Sequence, residues 1–360
     1  MAKTAYLILE NGTVFKGKSF GYEKEVTGEV VFSTSMSGYL EAITDPASFG
    51  QIIVQTFPLV GNYGVITKDA EGDKVYASAY IAKSWCEHPS NFRSEGDFDK
   101  YLKDNEIPGL YDIDTRKLTK IVRAAGVLNG RICYSDENLD SVIKEIKEFK
   151  IENPVMAVTS KETEVFSAEK EKYRVVLMDF GAKKNIIREL LKRNISVIKV
   201  PADTSAEKVL EYKPDGIMLS SGPGDPRENE SIIKEVKKLS DSKLPMFAIS
   251  LGHEILALAN GAQTKALKFG HRGENQPAKD VSTGRIYITC QSHGYALCPE
   301  SFPENMRVRY ENANDGTCEG IYFTDRPQFS VEFHPEAAAG PLDTEFLFDE
   351  FLKMIEEGAI

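Results

Sequence analysis

Residues 245–262, PMFAISLGHEILALANGA, decide the fold of the second half of the chain. The apolar or small run Met246 to Ile249 predicts a short buried parallel strand, and from Glu254 onward apolar residues recur at helical spacing. Ser250 therefore lies on the turn between them. Such a turn presents one side chain at the carboxyl end of the sheet and leaves the backbone N–H of Leu251 free to face an oxyanion. The pattern predicts a nucleophile at Ser250, with an ordinary buried serine as the alternative.

The chain after Tyr173 alternates between strand-like and helix-like segments. This alternation predicts an α/β fold, a doubly wound parallel sheet with helices on both faces. In such sheets, sites form at the carboxyl ends of the strands. We expect these loops at that edge: Ser220 to Pro226 (SSGPGDP), the Ser250 turn, Gln291 to Tyr295 (QSHGY), and His334 to Glu336 (HPE).

The first part of the chain has a different pattern. Strand-like runs flank Asn11-Gly12, a strong hairpin signal, and later strands and helices follow without regular alternation. This predicts an α+β domain, similar to swivelling β/α domains. Residues 151–172 are polar with little periodicity, which is typical of a linker. The sequence therefore predicts a first domain at residues 1–150, a linker at 151–172 and a second domain at 173–360.

Composition argues against several classes of function. The 360 residues carry a net charge of -11 at pH 7 without a strongly basic stretch, so nucleic acid is not an expected partner. No apolar run is long enough for a membrane span or a signal peptide. The five cysteines include no CxxC pair, and the histidines show no metal-ligand spacing. We therefore expect reduced thiols, no metal site and a cytoplasmic protein.

His334 and Glu336 form a second candidate for chemistry. Residues two apart in an extended segment point the same way, so the carboxylate can orient the imidazole. Such a histidine could activate a nucleophile at Ser250 and deliver a proton to a leaving amine, whereas a surface loop with a solvated glutamate is the alternative. Gly222 and Gly224 predict a turn whose amides bind a carboxylate or oxyanion, or a plain tight turn.

The second domain contains, in order, the motifs SSGPGDP, AISLGHE, QSHGY and FHPEA. Together they resemble the class I glutamine amidotransferase family. Further motifs narrow the resemblance to the small subunit of carbamoyl phosphate synthetase: SMSGYLEAITDP (35–46), FPLVGNYG (57–64), SNFR (90–93), DIDTRKLT (112–119), DFGAKKNI (179–186) and KFGHRGENQP (268–277). The resemblance extends from Tyr6 to Ile355.

The resemblance implies the glutaminase subunit of a two-subunit synthetase. Glutamine is cleaved to glutamate and ammonia, and the ammonia passes through a tunnel to a large subunit. That partner makes carbamoyl phosphate from bicarbonate and ATP for pyrimidine and arginine biosynthesis. ATP and magnesium belong to the large subunit, no cofactor is expected on this chain, and the heterodimers could assemble further.

The resemblance also implies roles for individual residues. Position 250 is the nucleophile, His334 is the base and then the acid, and Glu336 orients His334. The remaining residues bind glutamine or stabilise its oxyanion: Ser48, Gly222, Gly224, Leu251, Glu254, Ser292, Gly294 and Tyr295.

The chain departs from the family pattern at several of these positions. Serine stands at 250 where the family has cysteine, and an alcohol is harder to deprotonate than a thiol. We therefore expect strongly reduced glutaminase activity. The family also has Gly, Gln, Asn and Ser at positions where this chain has Ala248, Glu254, Ser292 and Ala47, the last followed by Ser48.

Three interpretations of these departures remain open. An engineered cysteine-to-serine variant would keep His334 and Glu336 intact. A natural ammonia-user, in which this chain is a non-catalytic supporting subunit, would explain the other departures. A serine γ-glutamyl hydrolase would use Ser250, His334 and Glu336 but give the first domain no role. Cys290 follows a predicted strand without a turn of its own, so it is not predicted as a substitute nucleophile.

Overall fold

In the computed structural model, which describes residues 2–358, the chain divides into two units between Glu152 and Asn153. The strands of the first unit are β1 (Thr4–Leu9), β2 (Val14–Gly21), β3 (Val26–Ser33), β4 (Gln51–Gln55), β5 (Leu59–Val60), β6 (Ala79–Ile81), β7 (Ser84–Trp85), β8 (Pro108–Tyr111) and β9 (Leu128–Cys133). Its helices are α1 (Tyr39–Thr44), α2 (Phe98–Asp104), α3 (Thr115–Ala125) and α4 (Leu139–Glu148).

The first unit is built on a closed barrel. Its strand order is β1-β2-β8-β6-β4-β3-β9, and β9 pairs with β1 to close it. The predicted hairpin is confirmed, because β1 and β2 pair antiparallel around Gly12, whose φ of 85° suits glycine. Helices α2 and α3 begin where Asp97 and Asp114 accept hydrogen bonds from backbone N–H groups of the first turn. Mixed strands and helices therefore form this unit, as predicted.

The second unit alternates strands and helices before a run of strands. Its strands are β10 (Glu164–Phe166), β11 (Tyr173–Asp179), β12 (Ile195–Pro201), β13 (Gly216–Leu219), β14 (Met246–Ile249), β15 (Gln263–Asp280), β16 (Ile286–Cys298), β17 (Met306–Asn312), β18 (Cys318–Phe323) and β19 (Gln328–Val331). Its helices are α5 (Pro154–Val158), α6 (Lys184–Lys192), α7 (Ala206–Glu211), α8 (Glu230–Asp241), α9 (Leu251–Ala259) and α10 (Leu347–Glu357).

One large sheet organises the second unit, in the order β10-β12-β11-β13-β14-β19-β18-β16-β15-β17. The strands β12, β11, β13, β14 and β19 pair in parallel, and helices cover both faces of the sheet. Along β11, Val176 and Met178 pack in one core and Val175 and Leu177 in the other. A strand covered on both faces has a continuous apolar sequence, so the predicted doubly wound sheet is confirmed.

Two segments differ from the sequence predictions. Residues 151–172, predicted as a linker, contain α5 and the edge strand β10, which at three residues is too short to show a periodicity. Residues 291–295, predicted as a loop, belong to β16 and pair with β15, where His293 lies opposite His271. The loop prediction was wrong because polar side chains and a glycine interrupt the apolar alternation of that strand. No helix within residues 2–358 is both long enough and apolar enough to cross a membrane.

The contact between α9 and β13 generates a first prediction. A Cβ added to Gly252 would lie 2.6 Å from Leu219 O and 2.8 Å from Ser220 O. Backbone atoms cannot move aside cheaply, so Gly252→Ala should lower the free energy of unfolding by about 1–3 kcal/mol in urea denaturation. Gly96→Ala is the matched control, because a Cβ there meets no atom of residues 2–358 within 4 Å. Equal stability of the two variants would contradict this packing argument.

Candidate active site

Ser250 occupies a strained strand-to-helix turn between β14 and α9. Its φ of 51° and ψ of -115° lie in a region that non-glycine residues rarely adopt. Three hydrogen bonds fix the turn: Ser250 N donates to Val331 O at 2.8 Å, Gly252 N to Ser220 O at 3.0 Å, and Glu254 N to Ser250 O at 3.1 Å. The turn thus has the strand-to-helix geometry that the sequence predicted. Leu251 begins α9, and the first backbone N–H groups of a helix have no partner within the helix.

His334 lies beyond the end of β19, the strand next to β14. Its backbone N–H donates to Cys290 O at 2.8 Å, and its Nδ1 lies 2.7 Å from Glu336 Oε1. Both side chains are buried. With Nδ1–H donating to the carboxylate, Nε2 is left to accept a proton, and among the described residues it has no hydrogen-bond partner.

A lysine stabilises the charge of Glu336. Lys183 Nζ lies 3.3 Å from Glu336 Oε1 and also donates to Ala337 O, while Asn185 donates to Glu336 O. Burial alone would raise the pKa of Glu336, but the charges and hydrogen bond of Lys183 and His334 outweigh it and hold the pKa at about 2. The carboxylate is therefore ionised at neutral pH and can accept the hydrogen bond that orients the His334 ring.

The predicted oxyanion loop packs directly against the turn. A Cβ on Gly222 would lie 2.8 Å from Leu251 Cδ2 and 2.2 Å from Phe180 O, so the loop approaches as closely as it does because glycine is present. Gly224 has a φ of 96° and lies against Pro154. The structure therefore brings Gly222 to the side of the turn where α9 begins.

The predicted glutamine-binding residues of the second unit lie on α9 and β16. Glu254 is buried, and its pKa is raised by burial and by the charge of Asp225. Ser292 pairs with Arg272 across β15 and β16, and Gly294 lies near the same arginine. The ring of Tyr295 lies 5.7 Å below the guanidinium of Arg227, which is paired with Asp225.

Ser48 belongs to the first unit. It ends a short 3-10 helix, Pro46–Ser48, and its hydroxyl donates to Ala42 O at 2.7 Å. The adjacent Ala47 N donates to Asp45 Oδ1. The role of Ser48 in binding glutamine stays a prediction.

Sequence comparisons extend over both units. Residues 7–132 match the family "Carbamoyl-phosphate synthase small chain, CPSase domain", and residues 176–354 match "Glutamine amidotransferase class-I". The chain is 47% identical over 349 residues to the carbamoyl phosphate synthase small chain of Clostridium perfringens, covering 97% of this chain and 99% of that one. The chain belongs to the carbamoyl phosphate synthase small chain family.

Two further relatives are similar over the same length. The carbamoyl phosphate synthase pyrimidine-specific small chain of Bacillus subtilis is 47% identical over 350 residues, covering 97% of this chain and 95% of that one. The small chain of Fusobacterium nucleatum is 47% identical over 352 residues, with coverages of 97% and 98%. The predicted order of a small-chain domain followed by a class I amidotransferase domain is thereby confirmed.

The structure of this small chain also places a histidine and glutamate cluster behind the turn, which the sequence did not predict. Ligand atoms of His271, His293 and Glu319 lie within 4.8 Å of one another, although their sequence spacing gives no metal signature. Each has protein hydrogen-bond partners: His271 contacts Asp315 at 2.9 Å, and Glu319 accepts from Gln291 at 2.9 Å. His293 Nδ1 lies 2.7 Å from Tyr295 O. We interpret the cluster as a hydrogen-bonded support for β16.

Sequence reasoning also assigned no role to three other residues of the site, Lys183, Asp225 and Glu332. Lys183 and Asp225 lie inside quoted motifs, DFGAKKNI and SSGPGDP, but no local pattern assigns them an ion pair with Glu336 or a charge effect on Glu254. Glu332 lies two residues before His334. The motif positions were the available signal, whereas the contacts depend on the fold.

The buried ion pair generates a pH-dependent prediction. Lys183→Ala should lower the free energy of unfolding at pH 7 by about 3 kcal/mol, because it leaves an uncompensated buried charge. The pKa of Glu336 is about 2 in the folded chain against an ordinary 4.5, so its ionised form contributes stability above about pH 4.5 that is lost as pH falls towards 2. The deficit of the variant should therefore shrink across that window.

Urea denaturation followed by circular dichroism at pH 7 and pH 3 measures this difference. Lys237→Ala is the control, because the pair of Lys237 with Asp241 is exposed and should contribute less than about 1 kcal/mol. A deficit for Lys183→Ala that is the same at both pH values would show that the charge of Glu336 is not the cause.

Proposed function

We propose that this small chain hydrolyses L-glutamine to glutamate and ammonia and delivers the ammonia to a large subunit. That partner would make carbamoyl phosphate from bicarbonate and ATP, for pyrimidine and arginine biosynthesis in the cytoplasm. ATP and magnesium would be held by the large subunit, with no cofactor on this chain. The observation that carries the proposal is the strained turn at Ser250 together with the buried pair of His334 and Glu336.

The proposed reaction proceeds by acyl transfer. The nucleophile at position 250 attacks the side-chain amide carbon of glutamine, and His334 Nε2 accepts its proton. The N–H of Leu251 and the loop of Gly222 and Gly224 stabilise the oxyanion. The imidazolium then protonates the leaving nitrogen as ammonia, and a water activated by His334 hydrolyses the acyl enzyme to glutamate.

Glutamine recognition would rest on groups around the turn. The buried Glu254 carboxylate would pair with the α-ammonium of glutamine, which supplies the positive charge that this carboxylate lacks. Ser292, Gly294 and Tyr295 would line the pocket from β16, and Ser48 is proposed as the contribution of the first unit. Pairing with an ammonium would return Glu254 to its ionised form.

The serine makes this form a poor glutaminase. A thiol becomes a thiolate beside an imidazole after a modest pKa shift, whereas an alcohol must lose its proton during the attack. A non-catalytic supporting subunit for ammonia-dependent synthesis is therefore the second candidate. It is favoured by the raised pKa of Glu254, which opposes formation of the charged group that would bind the substrate.

Ammonia release from glutamine by this chain and by its Ser250→Cys variant, each with the large subunit, tests these candidates. If the pocket is intact, the variant should gain glutaminase activity by orders of magnitude, because a thiol loses its proton far more readily than an alcohol. Carbamoyl phosphate synthesis from free ammonia is the control and should be equal in both. An inactive variant with normal ammonia-dependent synthesis would support the supporting-subunit role instead. Rapid hydrolysis by the native serine form would contradict the expected impairment.

A further inference from the structure

Glu332 lies beside Ser250 as a consequence of strand pairing. Ile249 and Val331 are paired in the parallel ladder of β14 and β19. Ser250 and Glu332 are the residues that directly follow this pair. Ser250 N donates to Val331 O at 2.8 Å, and Glu332 N donates to Glu319 O at 2.9 Å. Both backbones are therefore fixed, and the Glu332 side chain is completely buried.

The Glu332 carboxyl has few partners. Within residues 2–358, neither of its oxygens has a fully formed hydrogen bond, although the Ser250 hydroxyl is near enough to stabilise the ionised form. The nearest histidine nitrogens are His253 Nε2, 3.7 Å from Oε2, and His293 Nδ1, 3.7 Å from Oε1. Catalytic hydrogen bonds are often this loose before substrate binds.

The charges around Glu332 do not compensate its burial. Burial lowers the pKa of His253 to about 3, and burial with the charge of His271 lowers that of His293, so both are neutral at pH 7. Burial raises the pKa of Glu332 well above 4.5, and the carboxylates of Glu254 and Glu319 raise it further. A carboxylate whose pKa is raised in this way is a stronger base than an ordinary carboxylate.

We propose that Glu332 is the base that accepts the Ser250 proton in this serine form, with His334 acting on the leaving nitrogen. The inference rests on the proposed glutamine hydrolysis and divides its proton transfers between two groups. Strand register places Glu332 beside Ser250, and the Ser250 hydroxyl is near enough to stabilise the ionised carboxyl. An alcohol needs a base in contact during attack. Beside a thiol, the same carboxylate would oppose formation of the thiolate.

The proton transfers balance over one cycle. The cycle starts with Glu332 ionised and with His334 protonated by solvent at Nε2. Ser250 Oγ bonds to the amide carbon while its proton passes to Glu332, and the imidazolium of His334 protonates the nitrogen as the C–N bond breaks. Water then attacks the ester and gives a proton to His334, while the departing Ser250 oxygen recovers its proton from Glu332. Both groups return to their starting states, with Glu336 ionised throughout.

Glu332→Gln should have opposite effects in two backgrounds. In the native chain, it should lower glutamine turnover about 100-fold, because the base is lost. It should also change the pH profile of kcat. In the serine form, kcat should fall at low pH as Glu332 becomes protonated, with a midpoint above pH 4.5, and Glu332→Gln should remove this fall. In Ser250→Cys, it should raise turnover, because a neutral amide no longer opposes the thiolate.

Alkylation by iodoacetamide gives a readout independent of glutamine hydrolysis. Its rate at the introduced thiol, followed by mass spectrometry of the peptide that carries position 250, should rise about tenfold for each unit by which Glu332→Gln lowers the thiol pKa. If no variant hydrolyses glutamine, the proposed function fails, whereas alkylation still decides whether the carboxyl acts on position 250.

Glu300→Gln, an exposed substitution in the same unit, is the matched control and should change neither readout. Ammonia-dependent synthesis with the large subunit reports folding and assembly of every variant. Equal losses of turnover in both backgrounds, or an alkylation rate that Glu332→Gln leaves unchanged, would overturn the assignment and make Glu332 a structural residue.

Discussion

The hydrogen bond from Ser250 N to Val331 O is the contact on which the arrangement of the site depends. It extends the pairing of β14 and β19 by one residue past the ends of the two strands, at the point where the segment after β14 turns into α9. The strained backbone at Ser250 persists because this bond and the close packing of Gly252 over-determine it. The segment that directly follows β19 then carries both Glu332 and His334.

The site combines two kinds of buried acid. Glu336 has a lysine and a histidine within contact distance, and its pKa is about 2. Glu332 and Glu254 have no such cation among residues 2–358, and burial raises the pKa of both. One acid is therefore a permanent charge that orients the His334 ring, whereas the other two can exchange protons or recruit a positive ligand.

Local features of the site were predictable from sequence, and long-range ones were not. The turn at Ser250 follows from an apolar strand, a glycine and a helical repeat within one short stretch. The contact of His334 with Glu336 was predicted from a spacing of two in an extended segment, whereas in the structure the chain turns after His334 and Ala337 N donates to His334 O. The contacts of Lys183 with Glu336 and of Glu332 with Ser250 join residues far apart in sequence. No periodicity encodes such contacts, because strand order and register create them.

The same distinction explains the fold predictions. Buried parallel strands have continuous apolar sequences, so β11, β13 and β14 could be located, and the Asn11-Gly12 hairpin has a specific turn signal. Strand β16 was missed at residues 291–295 because its polar side chains point into a hydrogen-bonded cluster instead of an apolar core. A polar interior removes the alternation by which a strand is recognised.

The buried acids also affect which nucleophile is favourable at position 250. A thiolate is an anion, and placing it beside the buried carboxylate of Glu332, which already lies within the influence of the Glu254 charge, would raise its free energy. A serine hydroxyl is neutral until the moment of attack, so it tolerates the same neighbours and can give its proton to one of them. Serine at position 250 is thus electrostatically consistent with glutamates at 254 and 332, whereas a cysteine there would fit better with neutral amides at both positions.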